Sequence, residues 1–390
     1  MVLDRVILVR YGEISLKGLN RSYFMNKLYR NMKAALSHYK GVRIEKIQGR
    51  FLISCMDNDI NQIIESLSRV FGIISISPAY RLKADLDLIK DTALKLINNS
   101  KDSINTFKVE SKRGNKEFPL QSPEISREVG AYILKNTEEF KVDVHKPDTK
   151  IYIEIREHAY VYNEIIPGVG GLPVGSNGKV ALLISGGIDS PVAGYMTAKR
   201  GVELIAVHYH SFPFTSDRAK EKVIELARIM TQYTGPIKLF IVPFTNIQTE
   251  IGQKCDERQT TLIMRRFMMK IAERIAQKEE AKALVTGESI GQVASQTLES
   301  LVVTNAAVEM PVFRPLIGMD KQEIMNIAHN IKTYETSILP YEDCCTVFVP
   351  KHPETRPRLD KIIKSEKLLD IDGLIEEAIQ SLEIISLPEI

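Results

Sequence analysis

The chain has few of the features that would place it in several large protein classes. It has only four cysteines in 390 residues. That is too few for a disulfide framework, so a reducing compartment, the cytoplasm, is the expected setting. None of the four forms a Cys-x-x-Cys pair, since Cys255 begins Cys-Asp-Glu-Arg258. A resident metal or iron–sulfur cluster is therefore not expected, the alternative being an iron–sulfur site on the three cysteines Cys255, Cys344 and Cys345. No apolar run is long enough to span a bilayer, and Met1-Val-Leu-Asp-Arg5 lacks a signal-peptide pattern, so no membrane association is expected. Neither sign of charge dominates, because 52 basic and 49 acidic residues leave a formal +3. Nucleic-acid binding cannot be argued from that total and needs local clustering. No internal repeat or low-complexity tract stands out. What remains is an ordinary globular composition, 44% hydrophobic and 26% charged, long enough for two or three domains with their own cores.

The most informative stretch is Ser185-Gly-Gly-Ile-Asp-Ser190. The apolar run Lys179–Ile184 leads into it, and Pro191 to Arg200, followed by Gly201, leads out. This reads as a buried strand, a tight turn and a helix with Pro in its first turn and Gly beyond its last. Such a turn aims backbone N–H groups at one point beside the positive end of a helix, which suits a phosphate. Gly186 and Gly187 let the backbone come close to it, and Ser185 and Ser190 add hydroxyls. Asp189 would repel a bare anion. It suits Mg²⁺ or another substrate group better. The spacing is neither Walker A nor Gly-x-Gly-x-x-Gly.

Ahead of this stretch, residues 1–75 alternate as βαββαβ, the order of a ferredoxin-like unit. Phe24, Leu28, Met32 and Leu36 mark one face of its first helix. Residues 76–168 read as a second small α/β unit, with a strand at Thr106–Glu110 and a helix capped by Ser122. Lys108, Lys112, Arg113 and Lys116 are placed in the loop between them, and Arg127 on the helix. These five cations can line a phosphate backbone or simply be solvated. Residues 169–177 fall in a Gly- and Pro-rich stretch that reads as a linker. From 178 to 390, strands and helices alternate like a doubly wound parallel sheet, whose ligands bind at the carboxyl ends of the strands. Those ends carry Ser185–Ser190, His208–Ser211 and Gly287–Ser289. Lys321 follows a further apolar stretch and offers a point charge to phosphate. Cys344 and Cys345 sit in a Pro-containing loop where a thiol can be nucleophilic, a small core residue or half of a vicinal disulfide. Lys361 to Leu382 reads as helix.

Taken together, Arg10–Gly18, Gly170–Gly175, Leu183–Pro191, Thr261–Arg266, Thr286–Gln296 and Tyr334–Pro340 resemble, in that order, the motifs of the ThiI family of tRNA 4-thiouridine synthetases. The loop at Ser185–Ser190 resembles the PP-loop of ATP pyrophosphatases. The resemblance covers nearly the whole chain. It implies a ferredoxin-like domain, a tRNA-binding THUMP domain containing the basic stretch, and a PP-loop domain. It also implies transfer of AMP from ATP to O4 of uridine 8 in tRNA, then replacement of that oxygen by persulfide sulfur. ATP is expected to touch Leu183, Ile184, His208, Tyr209, Arg265, Gly287 and Gln296 as well as the loop residues. Asp189, Lys321 and Cys344 match catalytic positions of the family, with Cys345 as a possible second sulfur-handling residue. Mg²⁺, a cysteine desulfurase or other persulfide donor, and a homodimer are the remaining implied partners. Some members carry a rhodanese domain after the PP-loop domain. No room for one is seen before Ile390, which puts the family's second role, in thiamine biosynthesis, in question. The rival readings are another PP-loop chemistry, such as 2-thiolation of tRNA or an amide-forming ligase, and a catalytically silent tRNA-binding protein.

Overall fold

The structure is a computed structural model and describes residues 4–99, 104–293, 295–341 and 353–388. The chain falls into two compact units, Met1–Gly171 and Leu172–Ile390.

The first unit opens with β1 (Asp4–Tyr11), α1 (Arg21–Ala35), β2 (Arg43–Ile47), β3 (Arg50–Ser54), α2 (Ile60–Ser68) and β4 (Ile73–Lys83). This is the βαββαβ order expected from the sequence. Helix α1 buries Phe24, Leu28 and Met32, as their four-residue spacing requires. Next come α3 (Leu86–Asn98), β5 (Thr106–Arg113), α4 (Ser122–Lys135), β6 (Lys141–Val142), β7 (Thr149–Ile155), β8 (His158–Tyr162) and β9 (Ile166–Pro167). The strands form one sheet in the order β2-β3-β1-β4-β8-β7-β5-β6, with β9 also on β4. Strand β4 runs unbroken through residues 75 and 76. It pairs with β1 along most of its length and with β8 at its far end, so both halves of the unit share it.

Two local readings need correction. Strand β5 continues to Arg113, because its ladder with β7 pairs every residue from Phe107 to Arg113. Lys108, Lys112 and Arg113 therefore lie on a strand, and only Lys116 is in the loop. The cap of α4 is Gln121, not Ser122. Gln121 has an extended backbone and shares a capping box with Glu124, while the Ser122 hydroxyl accepts from the Arg113 N–H at 2.9 Å. Gln is a weak cap by type, and the reciprocal bond to Glu124 compensates.

Alternation along β7 separates the two faces of the sheet. Ile151, Ile153 and Ile155 join a core with Phe107, Ile89 and Ile125. Glu154 faces the other way, where Val6, Leu8, Leu52, Tyr160 and Tyr162 are buried. There it pairs with Arg10 of β1 at 3.1 Å and with Arg50 of β3, and it accepts from the Tyr162 hydroxyl at 2.8 Å. Strands β3 and β7 are separated by β1, β4 and β8. In a flat sheet they would stand about 19 Å apart at the usual strand spacing. The Arg50–Glu154 pair therefore requires the sheet to curl strongly toward this face.

The second unit contains β10 (Lys179–Leu183), α5 (Asp189–Ala198), β11 (Glu203–His210), α6 (Asp217–Thr234), β12 (Ile237–Pro243), α7 (Thr245–Lys254), α8 (Thr260–Lys278), β13 (Leu284–Val285), α9 (Leu298–Asn305), β14 (Val312–Phe313), α10 (Lys321–Asn330), α11 (Tyr334–Ser337) and β15 (Glu383–Leu387). Its sheet order is β14-β13-β10-β11-β12-β15. The first five strands are parallel, and β15 runs antiparallel on the edge beside β12. Val180, Ala181 and Leu182 are buried, as expected for a central strand covered on both faces. The single helix expected over 361–382 is two, Leu359–Glu366 and Ile371–Gln380, because the Asp370 side chain caps a new start. The chain steps outward from β10 to β12, then returns to the opposite side of β10 with β13 and β14. That reversal opens a crevice at the carboxyl ends of β10 and β13. Among the described residues, no helix is long and apolar enough to cross a membrane.

Candidate active site

The crevice is built around the turn between β10 and α5. The Ser190 hydroxyl accepts from the Ser185 N–H at 2.9 Å, and the Ser185 hydroxyl accepts from the Gly187 N–H at 3.3 Å. The two serines thus brace the turn from within. A Cβ on Gly287 would lie 2.8 Å from the Asp189 carbonyl carbon and the Ser190 nitrogen. Only glycine lets the segment after β13 pass this close to the first turn of α5. A Cβ on Gly194 would strike Leu182 and Met230 side chains at 2.5–2.6 Å, so that glycine seats α5 on β10 and α6.

A cavity of about 260 Å³ opens at this point. Its wall takes Leu183, Ile184 and Ser185 from the end of β10 and Asp189 and Ser190 from α5. His208 and Tyr209 come from β11, Arg265 from α8, and Gly287 and Gln296 from the segment after β13. The structure thus brings together in one cavity residues spread over more than a hundred positions of sequence. Gly186 and Gly187 shape the turn but are not on the wall. Lys321, at the start of α10, is also off the wall, but its Nζ lies 3.5 Å from Asp189 Oδ1. Gln292 Nε2 lies 3.3 Å from the other oxygen of Asp189. His208 is buried with Nδ1 3.2 Å from the Ile184 carbonyl, and the Tyr209 hydroxyl donates to the Met268 carbonyl. Both are fixed from behind. Gln296 Oε1 accepts from the Ser289 N–H at 3.3 Å.

The wall also holds residues to which the sequence gave no individual role, among them Met268, Met269, Thr304 and, within the stretch Thr286–Ser289, Thr286 and Glu288. Glu288 is only 4% exposed. Burial alone would raise its pKa, but the guanidinium groups of Arg265 and Arg314 outweigh it and hold the carboxyl below its ordinary value. The available signal was its place directly after Gly287, at the carboxyl end of a parallel strand.

Cys344 and Cys345 lie outside the described residues. Before them, the Lys222 ammonium donates to the Leu339 carbonyl at 2.9 Å, and the Ser337 hydroxyl donates to the Gly187 carbonyl at 3.4 Å. Of the five cations expected to face tRNA, Lys108 pairs with Glu110 at 3.2 Å and Arg113 donates to the Phe118 carbonyl at 3.1 Å. Lys112, Lys116 and Arg127 are exposed.

Family models match in series along the chain. The ThiI ferredoxin-like domain matches residues 6–77, the THUMP domain 83–164, and the thiamine biosynthesis protein (ThiI) model 175–371. A probable tRNA sulfurtransferase of Alkaliphilus metalliredigens (strain QYMF) is 56% identical over 384 residues, covering 98% of each chain. The chain belongs to the ThiI family. A second ThiI relative, a probable tRNA sulfurtransferase of Acetivibrio thermocellus, is 56% identical over 389 residues and covers 99% of each chain. Among solved structures, a 4-thiouridine synthetase–RNA complex with bound ATP superposes with a TM-score of 0.92 at 40% identity, covering 98% of this chain and all of that one. PH1313 from Pyrococcus horikoshii Ot3 superposes at 0.65 with 30% identity, over 84% of this chain and 99% of its own. The expected ferredoxin-like, THUMP and PP-loop parts of a ThiI protein are all present, in the expected order.

Proposed function

We propose that this ThiI protein is an ATP-dependent tRNA sulfurtransferase that converts uridine 8 of tRNA to 4-thiouridine. The observation that carries the reading is the convergence of the expected nucleotide-contacting residues on one cavity at the switch point of the sheet. The relatives named tRNA sulfurtransferase, and the 4-thiouridine synthetase solved with RNA and ATP, support the same reading. The domains proposed with it are 1–75 (ferredoxin-like), 76–168 (THUMP), a linker at 169–177 and the PP-loop domain at 178–390, with β4 (Ile73–Lys83) shared across the first boundary.

In this mechanism the turn at Ser185–Ser190 and the N-terminus of α5 hold the ATP phosphates. Uracil O4 attacks the α-phosphorus and pyrophosphate leaves, which turns a poor leaving oxygen into part of an AMP ester. The outer sulfur of a persulfide on Cys344 attacks C4, and AMP departs with the original O4. A second thiol, from Cys345 or an external donor, then breaks the S–S bond. Sulfur stays on the base and a disulfide forms. Lys321 offers its charge to the phosphoryl group beside Asp189. Mg²⁺ typically takes one or two carboxylates along with phosphates and water, and the single carboxylate of Asp189, at the turn, fits that donor set. Bound there, the ion would neutralise phosphate charge. Lys112, Lys116 and Arg127, with Lys108 and Arg113 beside them, supply the backbone contacts to tRNA. The persulfide comes from a cysteine desulfurase or an equivalent donor. The protein acts in the cytoplasm and pairs as a homodimer.

The test is nucleoside mass spectrometry of unmodified tRNA incubated with the protein, Mg-ATP, cysteine and a cysteine desulfurase, with Cys344→Ala alongside. New 4-thiouridine with the wild type alone supports the reading and puts Cys344 on the sulfur path. Product from both moves that role to Cys345 or free sulfide. No product from either, despite tRNA binding and an active desulfurase, favours a different sulfur donor or the catalytically silent protein.

A further inference from the structure

Three elements of the second unit converge on a carboxylate that has no part in the mechanism above. Glu288 Oε1 accepts from Arg265 Nη2 at 2.5 Å. Its Oε2 accepts from Arg314 Nε at 2.7 Å and from the Thr286 hydroxyl at 2.9 Å. Both oxygens are thus engaged, which leaves Glu288 poorly placed to act as a base or metal ligand. Its influence has to pass through its partners. Of its two cationic partners, Arg265 is the one on the cavity wall, and its Nη1 donates to the Ser295 carbonyl at 2.8 Å. The guanidinium is therefore gripped at both terminal nitrogens. Two guanidinium groups and one carboxylate leave a net charge of +1, the sign that favours a bound polyanion.

We propose that Glu288 is a positioning residue for the nucleotide. It fixes Arg265 in its binding orientation, and Arg314 supplies the second cation that a buried carboxylate needs. This inference rests on the reading of the cavity as an ATP site. A flexible arginine loses rotamer freedom when it engages a ligand, whereas one already held has less to lose. A single buried carboxylate between two guanidinium groups also removes their mutual repulsion, and neutralising it would restore that repulsion.

The test compares wild type with Glu288→Gln, Arg265→Gln and the double variant, reading ATP affinity by calorimetric titration and KM for ATP against kcat. Glu288→Gln is expected to weaken ATP binding about tenfold and to raise KM for ATP by more than it lowers kcat. KM for tRNA stays unmoved. The double variant should bind ATP no more weakly than Arg265→Gln alone, because Glu288 acts through Arg265. Additive losses, or a lowered melting temperature with unchanged ATP affinity, would overturn the proposal. If Glu288→Gln does not fold, Arg314→Lys and Arg314→Met replace it. Weaker ATP binding in the Met variant, partly restored in the Lys variant, supports the proposal, and equal affinities in both overturn it. A wild-type protein that fails to bind ATP overturns the ATP reading and this proposal together.

Discussion

Gly287 sets how closely two backbones approach at the mouth of the cavity. A methyl group there would meet main-chain atoms of Asp189 and Ser190 at 2.8 Å, and main chain cannot swing aside as a side-chain tip can. Gly287→Ala should displace either the start of α5 or the end of β13 by a sizeable fraction of an ångström. Misplacement of that order costs about a hundredfold in rate, so kcat/KM should fall by about that factor. Gly252 in α7 is the control for folding, because an added methyl there would meet nothing within 4 Å and the residue is off the cavity wall. Steady-state kinetics and thermal melts of Gly252→Ala and Gly287→Ala check this. Equal activity in both would show that the close approach does not matter. Much at this scale was legible beforehand. The Ser-Gly-Gly-x-Asp-Ser spacing dictates a turn, and the polar ends of parallel strands have to meet. Glu288 and Arg314 were not legible as a pair, because their meaning depends on the ends of β13 and β14 meeting an early turn of α8, and no local pattern announces that.

The strands of the first unit illustrate what a sequence pattern leaves open. Alternation in Thr149–Ile155 shows which side chains share a face, and it places Glu154 opposite the isoleucines. It cannot show that the sheet curls far enough for Arg50 to reach Glu154 across three intervening strands. The curl has an electrostatic signature. Burial pushes the Glu154 carboxyl up, but Arg50, Tyr162 and Arg10 together hold it down at about 2, against an ordinary value of 4.5. A depressed folded-state pKa means the stabilisation is fully present above pH ~4.5 and is lost as pH falls from there through about 2. The linkage amounts to at most about 3 kcal/mol. Chemical unfolding followed across pH 2–6 should show this loss in the wild type and a flatter profile in Glu154→Gln. At neutral pH the variant should be less stable by about 3 kcal/mol, because Arg50 remains buried without its counter-charge. Parallel pH profiles for the two proteins would rule out the linkage. Strand β15 escaped notice for a similar reason. Glu383–Leu387 is a short apolar segment, and only the free edge of β12 turns it into a strand.

Each unit has apolar cores built from its own described residues. The core of helices α3 and α4 lies within residues 82–161, and the core around α8 lies within 181–379. Separate cores make separate cooperative units, and the proposed ATP-binding residues and the cations proposed for the tRNA backbone lie in different units, with only uridine 8 of the tRNA reaching the cavity. The cavity lies wholly within Leu172–Ile390, whereas Lys112, Lys116 and Arg127 lie within Met1–Gly171. A ligand stabilises only the unit whose native state binds it, by about 2.7 kcal/mol when present at a hundred times its dissociation constant. Calorimetry of the full chain should therefore resolve two transitions, and ATP should raise only one of them. Hydrogen exchange should place that protection in β10, β13 and the first turn of α5. Unmodified tRNA at low salt should raise the other transition, and the shift should shrink steeply as salt is added, because phosphate contacts are made at the expense of bound counterions. One transition that moves with both ligands would mean that the two units unfold together, and that nucleotide binding is coupled to the surface that holds the RNA.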